Sequence, residues 1–217
     1  ILITGGSSGI GKAIGEFLLE KGFVVYGTSR NASAISNSKI KLVDLDVRNS
    51  DSIKACIAKV LELEGRIDVL INNAGVGITG PLEEIPLEEI KNNFETNVFG
   101  PIETMKAVLP QMRIQKSGLI INITSIAGYM GLPFRSIYSS SKGALELITE
   151  SLRMETKAFG VHITNVAPGD FATDIASRRF HAPVVKGSAY EKIYQTQLDM
   201  MNEHVSGGSN PIEMAVA

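Results

Sequence analysis

The 217-residue sequence predicts an α/β protein: a single doubly wound, mostly parallel sheet with helices on both faces. Three observations predict it. Short β-branched apolar runs alternate with helix-period patterns along the chain. The first strand and helix are joined by a glycine-rich turn. Polar and glycine residues stand directly after predicted strand ends, where an open α/β sheet takes its ligands.

The elements follow in order. Ile1-Leu2-Ile3 reads as a buried strand and runs straight into Thr4-Gly5-Gly6-Ser7-Ser8-Gly9-Ile10-Gly11. Ile10, Ala13, Ile14, Phe17 and Leu18 recur at helical spacing and predict a helix over 10–21, which Gly22 closes before a strand at 23–28. Further strands are predicted at 40–45, 68–73, 118–124 and 161–167, and further helices over 50–64, 87–114 and 136–159. Asn49 or Ser50 caps the helix at 50–64. Residues 170–209 form a long, mixed segment with Met200 and Met201 on a short helix, and read as a substrate lid. Asn210-Pro211 reads as one more helix start.

Composition narrows the function classes. With 44% hydrophobic residues the chain can cover a sheet on both faces as one domain over 1–217. A net charge of −2 gives no nucleic-acid footprint and no attraction to an anionic membrane. No apolar run reaches the roughly 18 residues of a membrane span and no signal peptide is visible, so a reducing cytoplasm is the expected location. The single cysteine, Cys56, falls among Ile53, Ile57 and Val60 and reads as a packing residue. His162, His181 and His204 have no metal-ligand spacing with one another or with a carboxylate, and no metal is expected.

Three local patterns carry chemistry. A glycine-rich turn alone is loop chemistry as readily as a site. Between a strand and a helix it exposes backbone N–H groups and a positive dipole end to a pyrophosphate. After the second strand an acidic residue binds the ribose hydroxyls of NAD, whereas an arginine accommodates the 2′-phosphate of NADP. Here the strand ends Thr28-Ser29-Arg30, and Arg30 is either that arginine or a solvated loop charge. Tyr138 and Lys142 stand four apart on one helix face, with Ser125 thirteen residues upstream of Tyr138. A neighbouring ammonium favours phenolate and lowers a phenol pKa from about 10 toward a useful acid/base value. The spacing by itself also fits an ordinary solvated helix face.

Taken together, Thr4-Gly5-x-x-x-Gly9-x-Gly11, Asn72-Asn73-Ala74-Gly75, Asn97, Ser125, Tyr138-x-x-x-Lys142 and Pro168-Gly169 resemble the short-chain dehydrogenase/reductase family in order and separation, across nearly the whole chain. No motif position departs from the family pattern. Gly131-Leu132-Pro133-Phe134, Tyr138 to Leu145 and Phe159-Gly160-Val161-His162 further resemble its steroid and retinoid branch, which includes 17β-hydroxysteroid dehydrogenases.

The resemblance implies a Rossmann-type dinucleotide fold and a role for each residue. Thr4, Gly5, Ser7, Ser8, Gly9, Ile10 and Gly11 would hold the phosphates. Ser29 occupies the position of the aspartate in NAD-preferring members, so with Arg30 it implies NADP(H). Asp46 and Val47 resemble the adenine-edge contact, although Asp46 is equally a turn or cap residue. Asn73, Ala74 and Gly75 would let backbone approach the ribose. Pro168, Gly169, Phe171 and Thr173 would hold the carboxamide. Ser125 would bind the substrate oxygen and Tyr138 would donate the proton. Lys142 would lower the Tyr138 pKa and bind the nicotinamide ribose. Asn97 would hold a water beside the lysine; outside the family it is a kink or packing residue.

The implied activity is NADP(H)-dependent reduction of an apolar ketone or aldehyde, or oxidation of the corresponding secondary alcohol, by hydride transfer with Tyr138 as general acid/base. Reduction of a 3-oxoacyl thioester is the alternative enzyme, and a silent dinucleotide sensor the non-enzyme. A sensor has no need of Ser125, Tyr138, Lys142 and Asn97 together. Val76, Ile78, Met130, Phe134, Phe171, Tyr190, Tyr194, Met200 and Met201 are candidate walls of an apolar substrate pocket. The helices at 87–114 and 136–159 resemble those that pair relatives into homodimers and homotetramers. Both ends read as incomplete: the family continues past 217 into a seventh strand, and a preceding segment is left open.

Overall fold

A computed structural model describes residues 1–169, 171, 179–206 and 209–216, with backbone alone over 202–206. Its strands are β1 (Leu2–Ile3), β2 (Tyr26–Ser29), β3 (Lys41–Asp44), β4 (Val69–Asn72), β5 (Ile78–Thr79), β6 (Gly118–Ile123), β7 (Val161–Val166) and β8 (Phe180–His181). Six of them form one parallel sheet in the order β3-β2-β1-β4-β6-β7, and β5 pairs with β8 in a separate parallel ribbon. The helices are α1 (Gly9–Glu20), α2 (Ser50–Glu64), α3 (Leu87–Phe94), α4 (Gly100–Gln115), α5 (Ser136–Thr156), α6 (Glu191–Ser206) and α7 (Pro211–Val216). The doubly wound α/β class is therefore what the sequence implied.

Alternation along each strand sends its residues to opposite faces. Leu2, Leu70, Ile120 and Ile163 join Ile53 and Val60 of α2, Met105 and Val108 of α4 and Leu145 of α5 in the larger core. Ile3, Ile71 and Ile123 face Ile14 of α1, with Met214 of α7 packed beside them. Cys56 lies in the larger core, and burial pushes its thiol up to about 12, as suits a packing residue. Asn49 caps α2, its Oδ1 accepting from the N–H groups of Asp51 and Ser52 at 2.9 Å each. One buried polar chain crosses this core: Thr104 donates to Asn72 at 2.7 Å, Asn72 to Asn122 at 2.9 Å, and Asn122 to Thr149 at 2.8 Å. It ties α4, β4, β6 and α5 together just below the strand ends.

Three expected boundaries shift. The second strand begins at Tyr26, because Tyr26 is the residue opposite Leu2; Phe23 and Val24 lie outside the pairing and are half-exposed. The helix expected over 87–114 is divided by a π-helical turn, Glu95–Phe99, between α3 and α4. α5 ends at Thr156, followed by a 3-10 turn and Gly160 at φ 73°. The helix holding Met200 and Met201 is not short: α6 runs for 16 residues. It seats Tyr194 on the β5–β8 ribbon, with Ile78, Ile85 and Ala182. Among the described residues, no helix is long and apolar enough to cross a membrane, and no cluster of His, Cys, Asp or Glu could hold a metal ion.

Candidate active site

The chain winds outward from β1 to β3 on one side, then returns to β4 on the other side of β1. The carboxyl ends of β1 and β4 therefore diverge, and a groove of about 790 Å³ opens there. Gly5 and Gly9 take φ of 65° and 55°, the left-handed region that glycine tolerates. A Cβ on Gly6 would stand 2.6 Å from the Cα of Gly27, so that backbone contact needs two glycines. Ser8 starts α1 without a side-chain cap, and no acid occupies the first turn. The helix thus presents uncapped donors beside Gly5, Ser7, Ser8, Gly9 and Ile10, which all line the groove. These features fit a pyrophosphate.

Thr4 and Gly11 act from behind the groove wall. The Thr4 hydroxyl, 1% exposed, accepts from the N–H groups of Asn73 and Ala74 at 3.0 Å each. Asn73 Nδ2 donates to the carbonyls of Thr4 and Gly5 at 2.9 and 3.2 Å. Gly11 makes room for that amide, since a Cβ there would collide with Asn73 and the Gly5 carbonyl. Thr4 therefore braces the β1–β4 switch rather than lining the groove.

At the next end of the groove stand Ser29, Arg30, Asp46, Val47 and Arg48. Asp46 is the turn residue that one reading of the sequence allowed: its carboxylate accepts from the Arg48 N–H at 3.0 Å, and from Nε and an Nη at 3.3 and 3.1 Å. Hydrogen bonds from the Arg48 guanidinium hold the Asp46 carboxyl below the usual carboxylate range, and Arg30 adds to the effect. Ser29 accepts from the Asn31 N–H at 3.3 Å. No acid occupies the Ser29 position to repel a 2′-phosphate.

Ser125, Tyr138 and Lys142 meet on one wall, with Asn73, Ala74, Gly75, Pro168, Gly169 and Phe171 around them. Ser125 follows β6 and accepts from the Ala127 N–H at 3.2 Å, capping a short 3-10 turn. Lys142 is 5% exposed; its Nζ donates to the Ile123 carbonyl at 2.9 Å and lies 6.0 Å from the centroid of the Tyr138 ring. Burial pulls the Lys142 ammonium down to about 8, while the charge of Glu146, one turn further on, opposes the shift. A Cβ on Gly75 would come within 3.3 Å of Asn97 Oδ1 and 3.5 Å of Lys142 Nζ, so glycine keeps the space before the ammonium open.

Asn97 is buried behind this wall rather than on it. Its Nδ2 donates to the Val76 carbonyl at 2.9 Å and to Ser141 Oγ at 3.2 Å, and its Oδ1 accepts from the Val76 N–H at 2.9 Å. Ser141 Oγ in turn donates to the Tyr138 carbonyl at 2.8 Å. Asn93 adds a bond to the Val76 carbonyl at 3.1 Å.

The far end differs from the apolar pocket expected. Val76, Ile78 and Phe171 line it, together with Gly77, Glu89, Arg135, Arg179 and Phe180. Met130 is 60% exposed on the surface, whereas Phe134, Tyr190 and Tyr194 pack against one another beside β5. Met200 is exposed and Met201 is buried under Thr79. Phe134 takes φ 59°, and its carbonyl accepts from Gly80 N–H and Thr79 Oγ1 at 2.9 Å each. That left-handed turn aims the ring at Tyr190 and Tyr194 and leaves the next residue, Arg135, on the groove. Thr173 lies outside the described residues.

Sequence reasoning missed Arg48, Asn93, Ser141 and Arg135. Asn93 stands four residues before Asn97, and Arg48 two after Asp46, spacings that signal a shared helix face and an Asx turn. Ser141 was hidden in a run of three serines. Arg135 carried no spacing signal.

A family profile described as short chain dehydrogenase matches residues 1–183. The 3-ketodihydrosphingosine reductase of Bacteroides thetaiotaomicron is 40% identical over 100% of this chain and 81% of its own length. The ketoacyl reductase HetN of a Nostoc species is 36% identical over 78% of this chain and 62% of its own length, and human retinol dehydrogenase 8 is 35% identical over 82% and 60%. Among solved structures, a short-chain dehydrogenase from Streptomyces avermitilis superposes with a TM-score of 0.88 at 34% identity, over 99% of this chain and 80% of that one. ElxO with NADP bound gives 0.78 at 28%, over 99% and 87%. A Burkholderia phymatum enzyme in complex with NAD gives 0.85 at 25%, over 99% and 82%. The groove and these likenesses agree: the chain belongs to the short-chain dehydrogenase/reductase family, oxidoreductases that act on CH–OH and C=O groups with a nicotinamide dinucleotide.

Proposed function

We propose that this chain is an NADP(H)-dependent reductase of a ketone or aldehyde on a largely apolar small molecule, able to oxidise the corresponding secondary alcohol. The observation that carries the reading is the buried Lys142 ammonium beside Tyr138 on the groove wall. A cation at that distance stabilises phenolate, which readies Tyr138 to give a proton to a carbonyl oxygen. Ser125 Oγ orients that oxygen and stabilises its developing charge. Asn97 holds the backbone of Val76 and, through Ser141, that of Tyr138. The dinucleotide, when bound, supplies the hydride.

Arg30 beside a neutral Ser29 supports NADP(H) over NAD(H). The 3-keto substrate in the name of the Bacteroides relative favours a ketone, and the ketoacyl reductase supports the 3-oxoacyl thioester as second reading. The segment 170–209 is assigned as the lid, with Phe171 on the groove wall beside the carboxamide. An apolar groove of about 310 Å³ between α4 and α5, lined by Ile102, Leu109, Ile148 and Leu152, supports a homodimer or homotetramer. A cytoplasmic location accords with the sequence.

The test is NADPH oxidation over a panel of steroids, aliphatic ketones and 3-oxoacyl thioesters, comparing wild type with Tyr138→Phe. Loss of the proton donor is expected to lower kcat by about 10²–10⁴-fold. Equal rates in the two proteins would remove Tyr138 from this role, and tight dinucleotide binding without turnover of any panel member would favour the sensor.

A further inference from the structure

We infer that the carbonyl substrate bears an anionic group, a carboxylate or a phosphate, a few bonds from the reacting carbon, and that Arg135 is the residue that recognises it. The inference rests on the proposed carbonyl reduction and names its substrate class.

Arg135 lines the groove, as Tyr138 does, and immediately precedes α5. Three residues, about one helical turn with a pitch near 5.4 Å, separate it from Tyr138. An arginine side chain spans that distance, so a group held by its guanidinium stays close to a carbonyl held by Tyr138.

The side chain is partly buried, yet among the described residues its hydrogen-bond partner is Met201 Sδ, which accepts from Nε at 3.3 Å. A thioether is a weak acceptor and carries no charge. No described carboxylate lies within ion-pair distance of Arg135, whereas Arg48, which shares the other end of the groove with Arg30, is paired with Asp46. A partly desolvated guanidinium with only sulfur on Nε keeps four N–H donors for another acceptor. The geometry that those donors match is bidentate: a carboxylate or a phosphate.

The position is also held in advance. The Arg135 N–H donates to the Leu132 carbonyl at 3.1 Å, its carbonyl accepts from Ser139 N–H at 2.9 Å, and the preceding Phe134 carbonyl is fixed by Thr79 and Gly80. Met201 buttresses Nε from α6, so binding would order few groups. Arg179 also lines the groove, its side chain packed over Gly77 and engaged in contacts of its own, so the recognition is assigned to Arg135 alone. Glu89 on α3 is the opposing charge, and it would favour an amino ketone instead.

The experiment compares kcat/KM with NADPH for four ketones of one skeleton: the free acid, the phosphate, the methyl ester and the amine. Wild type is expected to prefer the acid or the phosphate to the ester by ten-fold or more, and the better of the two anions identifies the group. In Arg135→Gln that preference should fall to near unity, chiefly through KM, and Arg135→Lys should recover part of it. Calorimetric titration of the enzyme–NADPH complex with the corresponding saturated acid, which cannot be reduced, reads the same contact without turnover, and should weaken at least ten-fold in Arg135→Gln. An anion-to-ester ratio or an acid affinity that Arg135→Gln leaves unchanged overturns the inference, as does preference for the amine. Reduction of the ester with no anion preference overturns it while leaving the carbonyl-reductase reading standing. Absence of any reduction, with the saturated acid still bound through Arg135, sinks that reading instead.

Discussion

Asn97 grips both backbone polar groups of Val76, accepting from its N–H and donating to its carbonyl at 2.9 Å each. The grip exists because α3 and α4 are joined by a π-helical turn, whose extra residue swings the Asn97 amide off the regular helix face toward the loop after β4. Gly75, next to Val76, is the residue that faces Lys142. Asn97→Asp keeps the acceptor and loses both donors, leaving a carboxylate oxygen against the Val76 carbonyl in a site 1% exposed. An unsatisfied buried partner costs about 1–3 kcal/mol. Urea melts should show at least that loss near neutral pH, with lower kcat; unchanged stability would mean that the amide is not holding the loop.

Gly11 and Gly22 separate two reasons for glycine. A Cβ on Gly11 would strike the Asn73 amide and the Gly5 carbonyl, whereas Gly22 has φ 87° and nothing within 4 Å of the added atom. Gly11→Ala is expected to disturb the brace between β1 and β4 and to weaken NADPH binding ten-fold or more in calorimetric titration. Gly22→Ala should cost about 1 kcal/mol through backbone strain and leave NADPH affinity intact. Equal affinities for both variants would show that the Gly11 contact does not shape the groove.

The strand ends were legible because each is punctuated by residues that only a turn or a ligand explains: Gly5 after β1, Asn73 after β4, Ser125 after β6. The 3.6-residue pattern placed α1, α2 and α5 to within a few residues. What stayed hidden depends on tertiary register. The π-helical turn leaves no composition signal, since Glu95 to Phe99 is ordinary helix text. Phe134, Tyr190 and Tyr194 are as apolar as a pocket wall, and only the left-handed Phe134 backbone and the β5–β8 ribbon send them into a packed cluster instead. The same turn brings Arg135 to the groove, where the sequence suggested aromatic walls.

Arg30 decides the cofactor in this reading. It lines the groove beside Ser29; of the carboxylates at that corner, Asp46 is paired with Arg48 and Asp44 accepts from the Ala32 N–H at 2.6 Å. A 2′-phosphate would meet the Arg30 guanidinium with no acid at the Ser29 position to repel it. Arg30→Asp reverses that charge and restores an acid able to accept ribose hydroxyls. NADPH affinity should fall at least ten-fold, about 1.4 kcal/mol, and NADH affinity should rise. An unchanged ratio of the two Kd values would return Arg30 to the role of a solvated loop charge.

Lys142 makes stability and activity pull in opposite directions. Its pKa is lowered from 10.5 to about 8 in the folded chain by burial, with Glu146 opposing. Below that folded value the ammonium is charged in both states, and the whole desolvation cost, roughly 3 kcal/mol for this shift, weighs on the fold. As pH rises from about 8 to 10.5 the unfolded chain holds the proton that the folded chain has released, so stability climbs through this window. Lys142→Met removes the titration and leaves the Ile123 carbonyl without its donor, a loss of about 1–3 kcal/mol. The variant should therefore gain most relative to wild type at neutral pH and lose that relative advantage as alkali neutralises the wild-type lysine, while NADPH-dependent reduction disappears. Denaturant melts of both proteins across the range decide it: a stability difference that does not change with pH would mean that no desolvated ammonium is held there. Glu146→Gln supplies the second arm, since removing the charge that supports the ammonium should move the alkaline loss of activity to lower pH.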